Sequence, residues 1–295
     1  VALTVMIFLL IFWRIPFGAF WNAIAGARIL PFLALMGLFS LYFFLVDTFV
    51  LSRLIRWFHG PLPYRELLPV RAVTYLVSIL NTQLAQAAMA LYIHRRFHTP
   101  LAQITSTVAL MILLETTNLI LFATVGAIAF PGGPPLPLLA LPLVLGMVWL
   151  LLMSLARGKL GILSRRLRDS VILSTFRRAR LSHCAIILGL KGFVFCLALL
   201  VHSQALAFFG IEIPLVRLVT FLPVIFLLGA LPITVAHLGT SQAGWIFFFS
   251  SYASEADLLA YSLVSHLTFM LANGTFGVLF LPKAYGDLFL RKRID

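Results

Sequence analysis

Residues 67–93 read LLPVRAVTYLVSILNTQLAQAAMALYI, and the way this stretch meets a bilayer decides the fold. Both ends are apolar, while the centre carries Asn81, Thr82, Gln83 and Gln86. As one span the segment would hold its amides near mid-membrane; as two half-helices it would return to the side it started from. The flanks favour the second option. Arg53, Arg56 and His59 precede it, and His94, Arg95, Arg96 and His98 follow it. Basic residues in short loops mark the cytoplasmic side, so a re-entrant hairpin keeps both loops there. A single long helix with a polar kink is the competing reading, because Pro and Gly are common in membrane helices.

The bilayer itself is implied by composition. Of 295 residues, 62% are hydrophobic and 11% charged, with a mean hydropathy of +1.06, against roughly 45–50% and about 25% in soluble domains. A soluble fold would leave too much apolar surface uncovered, whereas several spans of about 20 apolar residues account for it. The net charge of +13 comes from 22 Lys and Arg against 9 Asp and Glu. These cations sit between apolar runs, so they mark topology and meet anionic headgroups; nucleic-acid binding is not implied. Cys184 and Cys196 would lie about 18 Å apart on one helix, too far for a disulfide. They suggest no metal site.

Working outward, Val1 to Ile15 is short for a span and has neither the basic start nor the cleavage site of a signal peptide. Either residues precede it or it forms a partial or tilted first helix. Leu30 to Leu51 is a span, with Asp47 near its end placed to snorkel to the interface and Trp57 beyond it. After the first hairpin, Ala102 to Phe130 crosses outward to the uncharged turn at 131–135, and Leu136 to Leu155 returns. Arg157 to Arg180 holds eight basic residues against Asp169 and reads as a cytoplasmic interfacial helix pair or loop. Cys184 to Phe209 crosses outward. Val216 to Phe249 is a second long apolar stretch with a polar centre, flanked by the acidic loop 250–257 rather than by cations, so its hairpin is expected from the outer face. Leu258 to Leu281 crosses inward, and Arg291 to Arg293 follow on the cytoplasmic side.

The expected fold is therefore an all-α, polytopic membrane bundle with two opposed re-entrant hairpins in an inverted repeat. It is read as one integral membrane domain, 1–295: a first half 1–130 with hairpin 67–93, a linking span and basic loop 131–183, and a second half 184–295 with hairpin 216–249. Interrupted apolar segments at corresponding places in two halves point to a transport site near the midplane.

LNTQLAQAAMALYIHRRFHTPLAQITSTVALMILLETTNLILF (80–122) and LPITVAHLGTSQAGWIFFF (231–249) resemble the two signature regions of the flippase-like membrane domain of lysylphosphatidylglycerol synthases. The spacing between them, the basic central loop and Arg56-Trp57 fit as well, so the resemblance spans most of the chain. Asn81, Arg95-Arg96, Glu115, Pro232-Ile233-Thr234 and Leu238-Gly239 match the family pattern. Ala88-Met89 stand where Gly-Glu is expected, Thr116 where Arg follows Glu, His237 where a Gly stands, and Ser241-Gln242 where Arg-Glu is expected. The resemblance implies movement of a phospholipid or lipid-linked intermediate between leaflets, in a bacterial plasma membrane with the basic loops and C-terminus cytoplasmic. The lost family charges suggest the alternative of a non-transporting accessory subunit of a lipid-synthesis complex.

The candidate substrate-binding residues are Arg71, Asn81, Gln83, Gln86, Glu115, Asn118, Lys191, His237, Ser241 and Gln242. An ionised carboxylate at Glu115 costs on the order of 3 kcal/mol in mid-span, so it is paired, neutral or turned to a wet cavity; Asn118 shares its helical face. Lys191 lies about two turns into its span, from where its stem can snorkel. Arg71 and Arg217 can anchor phosphates or mark the interface. Asn81, Gln83 and Gln86 at the first break, with His237, Thr240, Ser241 and Gln242 at the second, line a central cavity whose half-helix N-termini suit an anionic headgroup, or else cap the broken ends internally. His266 and Asn273 share a face of the last span, and His202 is given no role. Metal-dependent transfer chemistry needs clustered acids that this chain lacks, and neither His-Glu-x-x-His nor Gly-x-Ser-x-Gly occurs. A serine hydrolase built from Ser241 with His237 or His266 is the remaining enzymatic arrangement. The expectation is a non-enzyme with no cofactor, whose partners are membrane lipids with anionic headgroups and, in the alternative, a lipid-synthesis enzyme.

Overall fold

A computed structural model describes residues 2–130, 136–157, 170–230, 234 and 238–287. Among these residues all regular structure is helical: α1 Ala2–Arg14, α2 Phe17–Gly26, α3 Ile29–Phe58, α4 Tyr64–Leu80, α5 Thr82–Phe97, α6 Leu101–Ile128, α7 Leu136–Ala156, a 3-10 turn Val171–Leu173, α8 Ser174–Arg178, α9 Leu181–Ala207, α10 Leu215–Ala230, α11 Thr240–Phe249 and α12 Glu255–Tyr285. Five are long and apolar enough to cross a bilayer: α3, α6, α7, α9 and α12. The N-terminal run, expected as a partial or tilted helix, is helical. It forms α1, which turns 87° into α2 at Pro16, because the residue before a proline is driven out of helical geometry.

Local chemistry sets the breaks. Asn81 adopts extended backbone, φ −163° and ψ 129°, and its Oδ1 accepts the Leu84 N–H at 3.0 Å, an N-cap that starts α5 where α4 stops. At the far end His98 takes a left-handed φ of 53° and Pro100 precedes α6. The Ser254 hydroxyl caps α12 by accepting the Asp257 N–H at 3.2 Å.

Two sets of four helices, α3–α6 and α9–α12, share one order: a long helix, two shorter ones that pack on each other, and a long last helix. The shorter helices reach across to the other set. α4 lies along α12, and α10 lies along α6, while α3 and α9 pack together. A glycine permits each crossing. A Cβ added at Gly126 on α6 would meet the Thr220 Cα of α10 at 2.6 Å, and one at Gly277 on α12 would meet the Ala72 carbonyl oxygen of α4 at 2.8 Å. Real Cβ atoms do not approach so closely, so both contacts depend on the missing side chain.

α7 packs mainly on α6 and leaves Leu143, Met147 and Leu150 exposed, and α12 likewise exposes Leu271 and Leu279. Such an apolar exterior needs acyl chains around it. The turn at 131–135, most of the basic loop (158–169), Pro232, Ile233 and His237 of the second break, and the basic residues 291–293 lie outside the described residues.

Candidate functional site

The strongest polar feature lies inside this apolar frame. Asp47 on α3 faces Arg71 and Tyr75 on α4, one turn apart on the same helix face. Arg71 donates from Nε and Nη2 to Asp47 Oδ2, and the Tyr75 hydroxyl donates to the same oxygen at 3.0 Å. Lys191 on α9 donates to Asp47 Oδ1 at 2.5 Å and to Glu115 Oε1 on α6. Arg71 Nη1 also meets the Met89 sulfur on α5 at 3.4 Å, and Lys191 lies over the Phe43 ring. Two cations and two carboxylates thus form one neutral network. Four such charges left unpaired in lipid would cost on the order of 10 kcal/mol; mutual pairing removes much of that.

Two expectations are corrected here. Asp47 does not snorkel, because α3 continues to Phe58 and leaves it about 16 Å before the helix end. Lys191 does not snorkel either; it sits about 15 Å into α9 and is held by two carboxylates. The network is unevenly buried. The side chains of Asp47, Arg71 and Lys191 are 1%, 9% and 10% exposed, whereas Glu115 is 31% exposed. Asn118, one turn beyond Glu115, is buried with its Oδ1 against Gly192 on α9.

Among the described residues, the other candidates do not join this network. Gln83 donates from Nε2 to the Ala230 carbonyl at 3.2 Å, so the first break touches the end of α10. Asn81 spends its Oδ1 on the cap of α5. Gln242 is buried and accepts the Gly239 N–H at 2.7 Å, also an internal cap, with its Nε2 without a partner among the described residues. Gln86 Oε1 and Asn273 Oδ1 are likewise buried without partners. Ser241 follows Thr240 in the first turn of α11, and Thr240 pairs with Thr234 at 3.1 Å. Arg217 stacks over Phe130 at 3.6 Å. His237 falls outside the described residues.

Sequence reasoning gave Asp47 the wrong place and missed Tyr75. The available signal was that Asp47 is one of nine acids and lies in an apolar run, while Arg71 and Tyr75 repeat at helical spacing. A second group also went unassigned. His202 Nδ1 pairs with the Tyr261 hydroxyl at 2.6 Å, among Phe226, Trp245 and Phe32.

At the basic-loop end, α8 docks on α6 through Thr175, whose N–H donates to Ser106 Oγ at 3.1 Å and whose hydroxyl meets Thr107 at 2.9 Å. The 3-10 turn and α8 are the described part of the segment expected as an interfacial helix pair or loop, and residues 158–169 lie outside the described residues. His59 Nε2 pairs with Thr107 Oγ1 at 2.7 Å; burial, and then the charge of Arg178, push its pKa down to about 4. Trp57 stacks on His183, ring centres 4.6 Å apart. Among the described residues no group of three His, Cys, Asp or Glu is placed to hold a metal ion.

Residues 1–277 match the family described as the lysylphosphatidylglycerol synthase TM region. No curated protein and no solved structure matches the chain. The family match and the apolar helices agree with the resemblance read from the sequence: the chain belongs to the lysylphosphatidylglycerol synthase TM-region family and is an integral membrane protein with a lipid-related role.

Proposed function

We propose that the protein moves a phospholipid or lipid-linked intermediate between leaflets, with the basic loops and C-terminus on the cytoplasmic side of a bacterial plasma membrane. The observation that carries this reading is the buried Asp47–Arg71–Lys191–Glu115 network, which joins both helix sets and leaves one carboxylate open. Ionisable groups at such depth are costly, and their usual role is to meet a charged substrate or a proton. The contact between Gln83 and Ala230 supports the same reading, because it brings the first break to the end of α10, where corresponding breaks form transport sites. Membrane lipids with anionic headgroups are the proposed partners, and no catalytic step is assigned to the chain.

Reconstitution into vesicles holding labelled phospholipids tests the proposal. Wild type should move label between leaflets, and Glu115→Gln, at the open carboxylate, should slow it without unfolding the protein. The accessory-subunit reading has one specific observation in its favour, the Ala88-Met89 and Ser241-Gln242 departures from the family pattern. It prevails if wild type moves no lipid across a broad panel yet binds a lipid-synthesis enzyme.

A further inference from the structure

α2 closes a cavity far from the buried charge network. The helix turns 87° from α1 and lies against α12. Just beyond it, the Arg28 N–H donates to the Phe208 carbonyl at 2.9 Å and ties α2 to the end of α9. The enclosed space is about 430 Å³, lined by Asn22 and Gly26 of α2, by Phe209, by Ser254 and Asp257 at the start of α12, and by alanines. Small-molecule sites span roughly 300–1,000 Å³, so there is room for a headgroup. α9 has 27 residues, which puts the cavity about 40 Å from the basic-loop end of the bundle. Trp13, Phe17 and Trp21 stand exposed around the bend between α1 and α2, as aromatic side chains do at the headgroup layer of a bilayer.

Charge sets this cavity apart. The chain carries a net +13, and among the described residues Asp47, Glu66, Glu115, Glu255 and Asp287 each pair with a cation. Asp257 has no such partner among them. Its Oδ2 accepts from Ser254 Oγ at 2.6 Å within the cap of α12, and that cap makes no use of Oδ1. At the other edge, Arg28 lies two residues past Gly26, with its guanidinium 5.6 Å from the centre of the Phe208 ring. It meets no carboxylate among the described residues. An unmatched carboxylate and an unmatched guanidinium thus flank one cavity. We propose that it holds the headgroup of a zwitterionic aminophospholipid, with the primary ammonium on Asp257 and the phosphate on Arg28.

The lining selects among headgroups. A primary ammonium has three donors, and Asp257 Oδ1, the Asn22 carboxamide oxygen and the remaining lone pair of Ser254 Oγ can accept them. A quaternary ammonium has no N–H and favours a cage of aromatic faces, whereas Phe209 is the one aromatic side chain among the described lining residues. A headgroup with a phosphate and no amine would leave Asp257 unmatched. Arg28 supplies the planar fork that suits a phosphate.

Binding here is independent of lipid movement and is measured at equilibrium. The full chain is placed in phosphatidylcholine bilayers, and the immobilised fraction of spin-labelled phosphatidylethanolamine is compared with that of spin-labelled phosphatidylcholine. Wild type should favour phosphatidylethanolamine about two- to fivefold, the worth of one partly exposed ion pair. Asp257→Asn keeps an acceptor for the cap and should abolish the preference, while Asp257→Glu should retain it. Ala19→Leu, which fills the cavity from an exposed position of α2, should abolish it without lowering the melting temperature. Equal retention of the two lipids by wild type overturns the proposal, as does a preference that survives in folded Asp257→Asn or folded Ala19→Leu. Excess soluble phosphoethanolamine should leave the immobilised fraction unchanged; displacement would assign the cavity to a free phosphoamine and overturn its lipid part.

Discussion

The two helix sets place different chemistry at equivalent places. The first gathers Asp47 from α3, Arg71 and Tyr75 from α4, Met89 from α5 and Glu115 from α6, and completes the group with Lys191 from α9. The second gathers His202 from α9, Phe226 from α10, Trp245 from α11 and Tyr261 from α12, with Phe32 from α3. Each centre thus draws on every helix of its own set and on the first helix of the other. One is a network of full charges with an open carboxylate. The other is an aromatic group around the His202–Tyr261 pair. Shared architecture with unequal centres teaches that packing is common to both sets, and that the proposed lipid chemistry is confined to one.

Removing a charge from the first centre should have the largest effect. Asp47→Ala leaves Arg71 and Lys191 facing one carboxylate, and breaking a buried pair in this way costs about 3–5 kcal/mol. Thermal unfolding of the detergent-purified protein should show that loss, or the variant should fail to accumulate in folded form. Next come the crossings. Gly126→Ala and Gly277→Ala each force a methyl against backbone and should cost about 1–3 kcal/mol. Similar losses in melting temperature for both would support equivalence of the two sets, and a loss in only one would break it. In the second centre, His202→Phe removes one buried hydrogen-bonded pair. About 1–2 kcal/mol is expected, with lipid movement kept.

The smallest effect lies outside both centres. His59 has its pKa lowered to about 4 by burial and by Arg178, so the fold favours the neutral ring. The unfolded chain, with an ordinary value near 6.5, takes up a proton first as pH falls. The contribution of His59 is therefore full above about pH 6.5 and fades as the pH drops through about 4. His59→Asn should reduce the difference in melting temperature between neutral and acid pH, leaving lipid movement at neutral pH unaffected.

Much of the architecture was legible because apolar runs and charged loops follow bilayer thickness. The break at Asn81 was legible from its amide cluster inside an apolar stretch. Arg71, Glu115 and Lys191 stood out as charges within apolar segments. Their union did not, because Lys191 meets Asp47 across 144 residues of sequence and no local pattern encodes that contact. Asp47 was misplaced for a simple reason: Arg53 and Arg56 look like a loop, yet α3 carries them to Phe58. The internal caps at Asn81 and Gln242 were foreseen only as an alternative to cavity lining, since both uses ask for the same amide.

The most direct test of the central claim compares lipid movement by wild type, Glu115→Gln and His202→Phe in the same vesicles, with folding checked by thermal unfolding. Movement is expected in wild type and in His202→Phe, with at least a tenfold slower rate in folded Glu115→Gln. Equal rates in all three variants, or loss in His202→Phe with Glu115→Gln unaffected, would contradict it.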